Sequence, residues 1–141
     1  MISPVRDVER VLKVALPRLS VRGQTILDAV RLAGGTIGST AMVARRLGLA
    51  NRFALARMMQ REGLPGLREL AAWVGLLGWV AVAERSGMPL FAIAVRSHKS
   101  PAVCYRTVRR LTGLTWMQLR ERGWEWLLGR FLRRCRVVQS G

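Results

Sequence analysis

An all-α fold is what this sequence predicts, and three features carry the prediction. Apolar residues recur at i, i+3, i+4 and i+7 in one segment after another, as the buried face of a helix requires. No stretch shows the apolar–polar alternation of a half-buried strand. The segments are punctuated by Ser, Thr, Asn or Pro where they begin and by Gly where they end, the usual asymmetry of helix termini.

The elements follow in order. Ser3 and Pro4 read as N-cap and first helical position, with Asp7 in the first turn where the macrodipole favours an anion. Val5, Val8, Leu12 and Ala15 continue one face until Pro17 stops it. A second helix restarts at Ser20, with Ile26, Leu27, Val30 and Ala33 as its stripe and Gly34 and Gly35 as its end. Ser39 or Thr40 caps a short helix, AMVARRL, closing at Gly48. Asn51 then caps RFALARMMQRE, which Gly63 ends.

The longest apolar segment is Leu67 to Arg85, LRELAAWVGLLGWVAVAER. Pro65 suits its first turn, where a missing N–H costs nothing. Leu70, Val74, Leu77 and Ala81 form one apolar row, and Trp73, Leu76 and Val80 a second. A helix apolar around so much of its circumference must be covered on more than one side. Gly75 and Gly78 lower its helix propensity, so close approach of a neighbouring backbone is the expected reason for them. A membrane-spanning role is the competing reading. The uncharged run from Leu70 to Ala83 falls short of the roughly 20 residues a span needs, and Arg68, Glu69, Glu84 and Arg85 bracket it, so a core helix is expected.

Beyond Ser86 to Pro89 the first pattern returns. Pro89 opens LFAIAVR, a turn follows at Ser97, His98 and Lys99, and Ser100 and Pro101 begin AVCYRTVRRL, closed by Thr112 and Gly113. A short helix, a Gly-containing turn of a few residues and another short helix make a helix-turn-helix spacing. Gly63 with Leu64 and Gly113 with Leu114 close the two units alike, suggesting a diverged duplication. Thr115 caps WMQLRER, and after Gly123 a last amphipathic helix runs from Trp124 to about Arg136. The expected architecture is two helix-turn-helix subdomains joined by a long central helix, with extra N- and C-terminal helices. Its divisions are an N-terminal helix (1–20), a first helix-turn-helix subdomain (21–64), a linker helix (65–86), a second subdomain (87–123) and a C-terminal helix and tail (124–141).

Charge narrows the function. Twenty-four Lys and Arg against eight Asp and Glu give +16, which points to a polyanionic partner, nucleic acid or an anionic membrane surface. From Ala29 to Arg61 there is no acid but Arg31, Arg45, Arg46, Arg52, Arg57 and Arg61. From Arg85 to Arg120 there is again no acid, with Arg96, Lys99, Arg106, Arg109 and Arg110 between. These stretches coincide with the two helix-turn-helix units, and a surface laid against phosphates must exclude carboxylates. In the first unit Leu55, Met58, Met59 and Phe53 are the inward set, with Asn51, Arg52, Arg57 and Arg61 outward. In the second, Cys104, Val108 and Leu111 point inward, opposite Ala102, Arg106 and Arg109, with Tyr105 and Arg110 at the edges. Arg pairs bidentately with guanine O6 and N7, and a small residue such as Ala102 permits close approach to a thymine methyl.

Other chemistries find no support. Cys104 and Cys135 make no disulfide framework and are expected reduced on apolar helix faces, while the single His98 leaves no zinc spacing. One His and eight dispersed acids assemble no nucleophile–base pair, carboxylate dyad or metal set, so an enzyme is not expected. Gly34, Gly35 and Gly48 follow no strand and make no nucleotide loop. No cofactor is expected. The N-terminus lacks an apolar signal region and carries acids early, so a cytoplasmic protein is expected.

The chain from about Val21 to Arg122 resembles the AraC/XylS-type DNA-binding domain, on specific residues. AMVARRLGL is similar to the opening of that family's first helix-turn-helix, with Ala44, Leu47 and Gly48 in place. Glu62-Gly63-Leu64-Pro65 followed by LRELAAWVGLL is similar to the end of its first recognition helix and its linker helix. CYRTVRRLTGLTWMQLRERG is similar to its second unit and closing signature. The sequence departs from the family at Trp116, at Ser97 and His98, and by one residue near Phe53 and Ala54. The resemblance implies a variant member without an effector domain: a bacterial, nucleoid-associated transcription regulator. It implies two recognition helices entering successive major-groove segments of double-stranded DNA, about 34 Å apart.

Arg57, Arg61, Arg106 and Arg109 are the expected base-edge contacts, with Asn51, Arg52, Tyr105 and Arg110 as flanking readers. Arg45, Arg46, Arg96, Lys99 and Ser100 are the expected phosphate contacts, positioning without reading. Further partners left open are RNA polymerase or another protein, and a second copy through the terminal helices; membrane insertion is not expected. Two alternatives stand beside specific recognition. One is a non-specific nucleoid-type or architectural binder. The other is a helical adaptor for a protein or anionic membrane partner, docking through Trp124, Leu127, Leu128, Phe131 and Leu132, although closing the chain's own core is the commoner use of such a stripe.

Overall fold

A computed structural model describes residues 21–32 and 40–135. All eight elements among the described residues are α-helices: α1 (Val21–Leu32), α2 (Thr40–Arg46), α3 (Arg52–Glu62), α4 (Leu67–Ser86), α5 (Leu90–Arg96), α6 (Pro101–Thr112), α7 (Trp116–Arg122) and α8 (Trp124–Arg134). The expected helix from Ser3 to Leu16, the stop at Gly34 and Gly35 and the last turn at Arg136 lie outside the described residues.

The architecture is built around α4. Leu67, Leu70, Ala71, Trp73, Val74, Gly75, Leu76, Leu77, Trp79, Val80 and Ala83 are all buried, because α1, α5, α6 and α8 pack on different sides of this helix. Full burial of one Leu or Val side chain contributes about 1.5–3 kcal/mol, so a helix buried through most of its length is the main source of cohesion. From α1 come Ile26 and Val30, both 1% exposed. From α8 come Leu127 and Phe131, and the Phe131 ring lies 5.7 Å from that of Trp73. No single helix among the described residues is long and apolar enough to cross a membrane.

Two details of α4 differ from expectation. Pro65 is buried but precedes the helix, which begins after Gly66 in an N-cap conformation (φ −54°, ψ 159°). The extended ψ of Gly66 is not helical, so the helical N–H to C=O series starts at Gly66 and leaves Pro65 outside it, with Leu70 N–H donating to the Gly66 carbonyl at 2.8 Å. At Gly78 no neighbouring backbone approaches: a Cβ built there meets nothing within 4 Å. Gly78 is half-buried with open space beside it, and close packing does not explain it.

Polar clasps fix α8 on α4. Trp124 Nε1–H donates to the Leu77 carbonyl (3.0 Å) and Trp124 backbone N–H to Glu84 Oε2 (2.9 Å). At the other end Arg134 forms a two-point ion pair with Glu69, Nε to Oε2 at 2.7 Å and the second nitrogen to Oε1 at 3.0 Å. Glu69 Oε2 also accepts from Trp73 Nε1–H at 3.1 Å. The stripe Leu127 and Phe131, considered above as a docking face, is therefore taken up by the chain's own core, with Trp124, Leu128 and Leu132 half-buried at its margin.

Candidate nucleic-acid interface

Two helix pairs, α2 with α3 and α5 with α6, carry the arginines selected from the sequence. In each pair the last turn of the first helix holds a fully buried alanine, Ala44 or Ala94. The chain then reverses in the same way. Leu49 N–H donates to the Ala44 carbonyl at 2.9 Å, and Lys99 N–H donates to the Ala94 carbonyl at 2.9 Å. Both turns pass through a left-handed residue, Gly48 at φ 74° and His98 at φ 56°. Both second helices end at a left-handed glycine, Gly63 at φ 78° and Gly113 at φ 74°. Positions 44 with 94, 48 with 98 and 63 with 113 thus share one offset, a backbone repetition that residue identity hides.

The N-termini of the second helices are capped as the sequence predicts. Asn51 Oδ1 accepts from Ala54 N–H at 3.0 Å, and Ser100 Oγ accepts from Val103 N–H at 3.5 Å. Because Ser100 Oγ serves the helix end, it is committed to local structure as well as exposed. Thr115 and Gln118 form a reciprocal capping box at the start of α7.

On α3 Leu55, Met58 and Met59 are buried, and Asn51, Arg52, Arg57 and Arg61 are exposed. Phe53 is not in the inward set: it is 59% exposed, with the Arg52 guanidinium 5.0 Å above its ring. The reason is angular. At about 100° per residue Phe53 lies some 200° around the helix from buried Leu55. On α6 Cys104 and Val108 are buried and Leu111 half-buried, while Ala102, Tyr105, Arg106, Arg109 and Arg110 are exposed. Arg45, Arg46 and Arg96 are exposed on α2 and α5, and Lys99 is half-buried in the second turn. Neither exposed face carries a carboxylate.

One grouping differs from what sequence reasoning proposed. Arg110, taken as a flanking reader, lines a cleft with Arg68 and Glu69 of α4, Trp73, Leu111 and Arg134 of α8. Arg68 and Arg134 carried no signal in the sequence, being far from α6 along the chain. Only the packing of α4, α6 and α8 brings them beside Arg110. The exposed apolar residues Phe91 and Val95 on α5 and Met117 on α7 were likewise not singled out.

The cysteines are free and buried. Burial pushes the Cys135 thiol up to about 12, opposed by nearby Arg134 and reinforced by Glu69. Burial also raises the Cys104 thiol, opposed by Lys99. No group of three or more His, Cys, Asp or Glu that could hold a metal occurs among the described residues. Comparison with protein-family models, with curated proteins and with solved structures finds no match to this chain.

Proposed function

We propose that this protein is a sequence-specific double-stranded DNA-binding regulator, a variant of the AraC/XylS-type arrangement, in which α3 and α6 are the recognition helices. One observation carries the reading. Two helix pairs with the same turn bonding each present a carboxylate-free arginine face opposite a buried apolar one. Arg57 and Arg61 on α3, and Arg106 and Arg109 on α6, project from the middle and end of those faces, where bidentate contact with guanine is chemically suited. Arg45, Arg46 and Arg96 flank them and supply phosphate contacts. The buried helix α4 acts as a rigid spacer, since a reader of two groove segments requires a fixed separation between them.

Selection of bound sites from a random duplex pool tests this. The expected result is an enriched motif with two halves about one helical turn, roughly 34 Å, apart. Flat enrichment would reject specific reading and favour the second hypothesis, an architectural binder driven by the +16 charge alone. Salt dependence does not separate the two. With about six phosphate contacts, log K falls against log salt with a slope near −5 in either case.

A further inference from the structure

The cleft between α4, α6 and α8 has a volume of about 480 Å³ and is lined by Arg68, Glu69, Trp73, Arg110, Leu111 and Arg134. Small-molecule sites commonly fall between about 300 and 1,000 Å³. Its charges are not equivalent. Glu69 and Arg134 neutralise one another through the two-point pair, and Glu69 is further held by the Trp73 indole. Their bonds to each other make this pair a fixed wall rather than a binding group. Arg68 and Arg110 are exposed and have no ion pair among the described residues. Two uncompensated guanidiniums from two different helices therefore line one concavity, whose apolar lining is the half-buried Leu111 and the small accessible part of Trp73, which is 4% exposed.

We propose that this cleft is a phosphoryl-binding site, in which Arg68 and Arg110 clamp a phosphate group against the Trp73 and Leu111 wall. Two guanidiniums match the charge of about −1.5 to −2 on a phosphomonoester near pH 7. Their planar forks suit its oxygens bidentately. Leu111, with the small accessible part of Trp73, takes an apolar part of the molecule that carries the phosphate. The same chemistry is offered by a free phosphomonoester and by a nucleic-acid backbone phosphate. The second source rests on the DNA-binding reading, and the first does not.

Calorimetric titration of the full chain with AMP, with adenosine as the phosphate-free control, tests the site. Anisotropy of a labelled random-sequence duplex distinguishes the source. Arg68→Gln and Arg110→Gln are each expected to weaken AMP binding about tenfold. Arg133→Gln, an exposed position on α8 outside the cleft, is expected to leave it unchanged, and adenosine is expected not to bind. Duplex affinity that falls with Arg68→Gln but not with Arg133→Gln identifies a backbone phosphate as the occupant. Duplex affinity indifferent to Arg68→Gln, with AMP bound as above, identifies a free phosphomonoester. The site is overturned if Arg68→Gln and Arg133→Gln act alike on both AMP and duplex, or if adenosine binds as well as AMP. That outcome leaves the DNA-binding reading standing. AMP binding without any duplex binding sinks the DNA reading and leaves the cleft in place.

Discussion

At the scale of single residues, side chains with similar chemistry are separated by their surroundings. Arg106 sits exposed on the carboxylate-free face of α6, whereas Arg134 is held by Glu69 at 2.7 Å. Under the proposed function, Arg106→Ala relaxes specificity at one base position and lowers cognate affinity by about 1–3 kcal/mol. Competition binding on cognate and scrambled duplexes checks this, and equal weakening on both removes Arg106 from the reading set. The cysteines give a pH prediction. With its thiol pushed up to about 12 by burial, Cys135 stays protonated in the fold at pH 8 and resists alkylation, while the denatured chain reacts at once. The folded pKa lies above the unfolded value. Its contribution to stability is therefore complete below about pH 9 and declines as pH rises from there towards 12. Urea titrations at pH 8 and pH 10 measure the decline, and Cys135→Ala should reduce it, leaving the part contributed by Cys104, whose thiol burial also raises. At His98, a left-handed φ of 56° in a residue with a Cβ is a local strain. His98→Gly is expected to raise stability, since glycine adopts that conformation without steric cost.

The elements were largely legible, because caps and periodicity act locally. Asn51, Gly63, Ser100, Gly113 and Thr115 mark helix ends by hydrogen bonds spanning only a few residues, so their roles could be read without knowing the tertiary structure. Two positions differ from expectation, Phe53 through its angle around the helix and Gly78 through its surroundings. Phe53 was grouped with the inward set although the buried positions 55, 58 and 59 leave it on the far side. Gly78 was given a packing reason that the open space beside it removes. These positions predict opposite outcomes for one kind of substitution. Gly78→Ala should stabilise by about 0.5–1 kcal/mol, because a helical backbone gains propensity there. Gly113→Ala should destabilise by about 1–2 kcal/mol, because φ is 74° and a Cβ is disfavoured in that region. Thermal melts of the two variants decide both. A carboxylate at Leu77, fully buried where α4 meets its neighbours, should abolish cooperative unfolding and, under the proposed function, DNA binding with it. A folded Leu77→Asp chain would remove α4 from its role as the central support.

At the scale of the whole molecule, α4 joins the two basic helix pairs through one core, and α8 closes that core. Trp124 reaches the Leu77 carbonyl, and Arg134 reaches Glu69 across 65 positions of sequence. The stripe of α8 left two readings open in the sequence, partner docking or closing the core, because an amphipathic face does not name what covers it. Packing on α4 decides between them for Leu127 and Phe131. The sequence by itself determined the helical class, the position of nearly every described helix end and the carboxylate-free arginine faces. Each of these depends on residue type and spacing along a single helix. Only the tertiary structure decided that Arg110 shares a cleft with Arg68 and Arg134, and that the two turns repeat the same bonding despite different residues. For the cleft the physical reason is separation, since its groups are distant in the chain and packing around α4 brings them together; the turn bonding is local, but it lies in backbone dihedrals that Gly48 and His98 share without sharing a residue type.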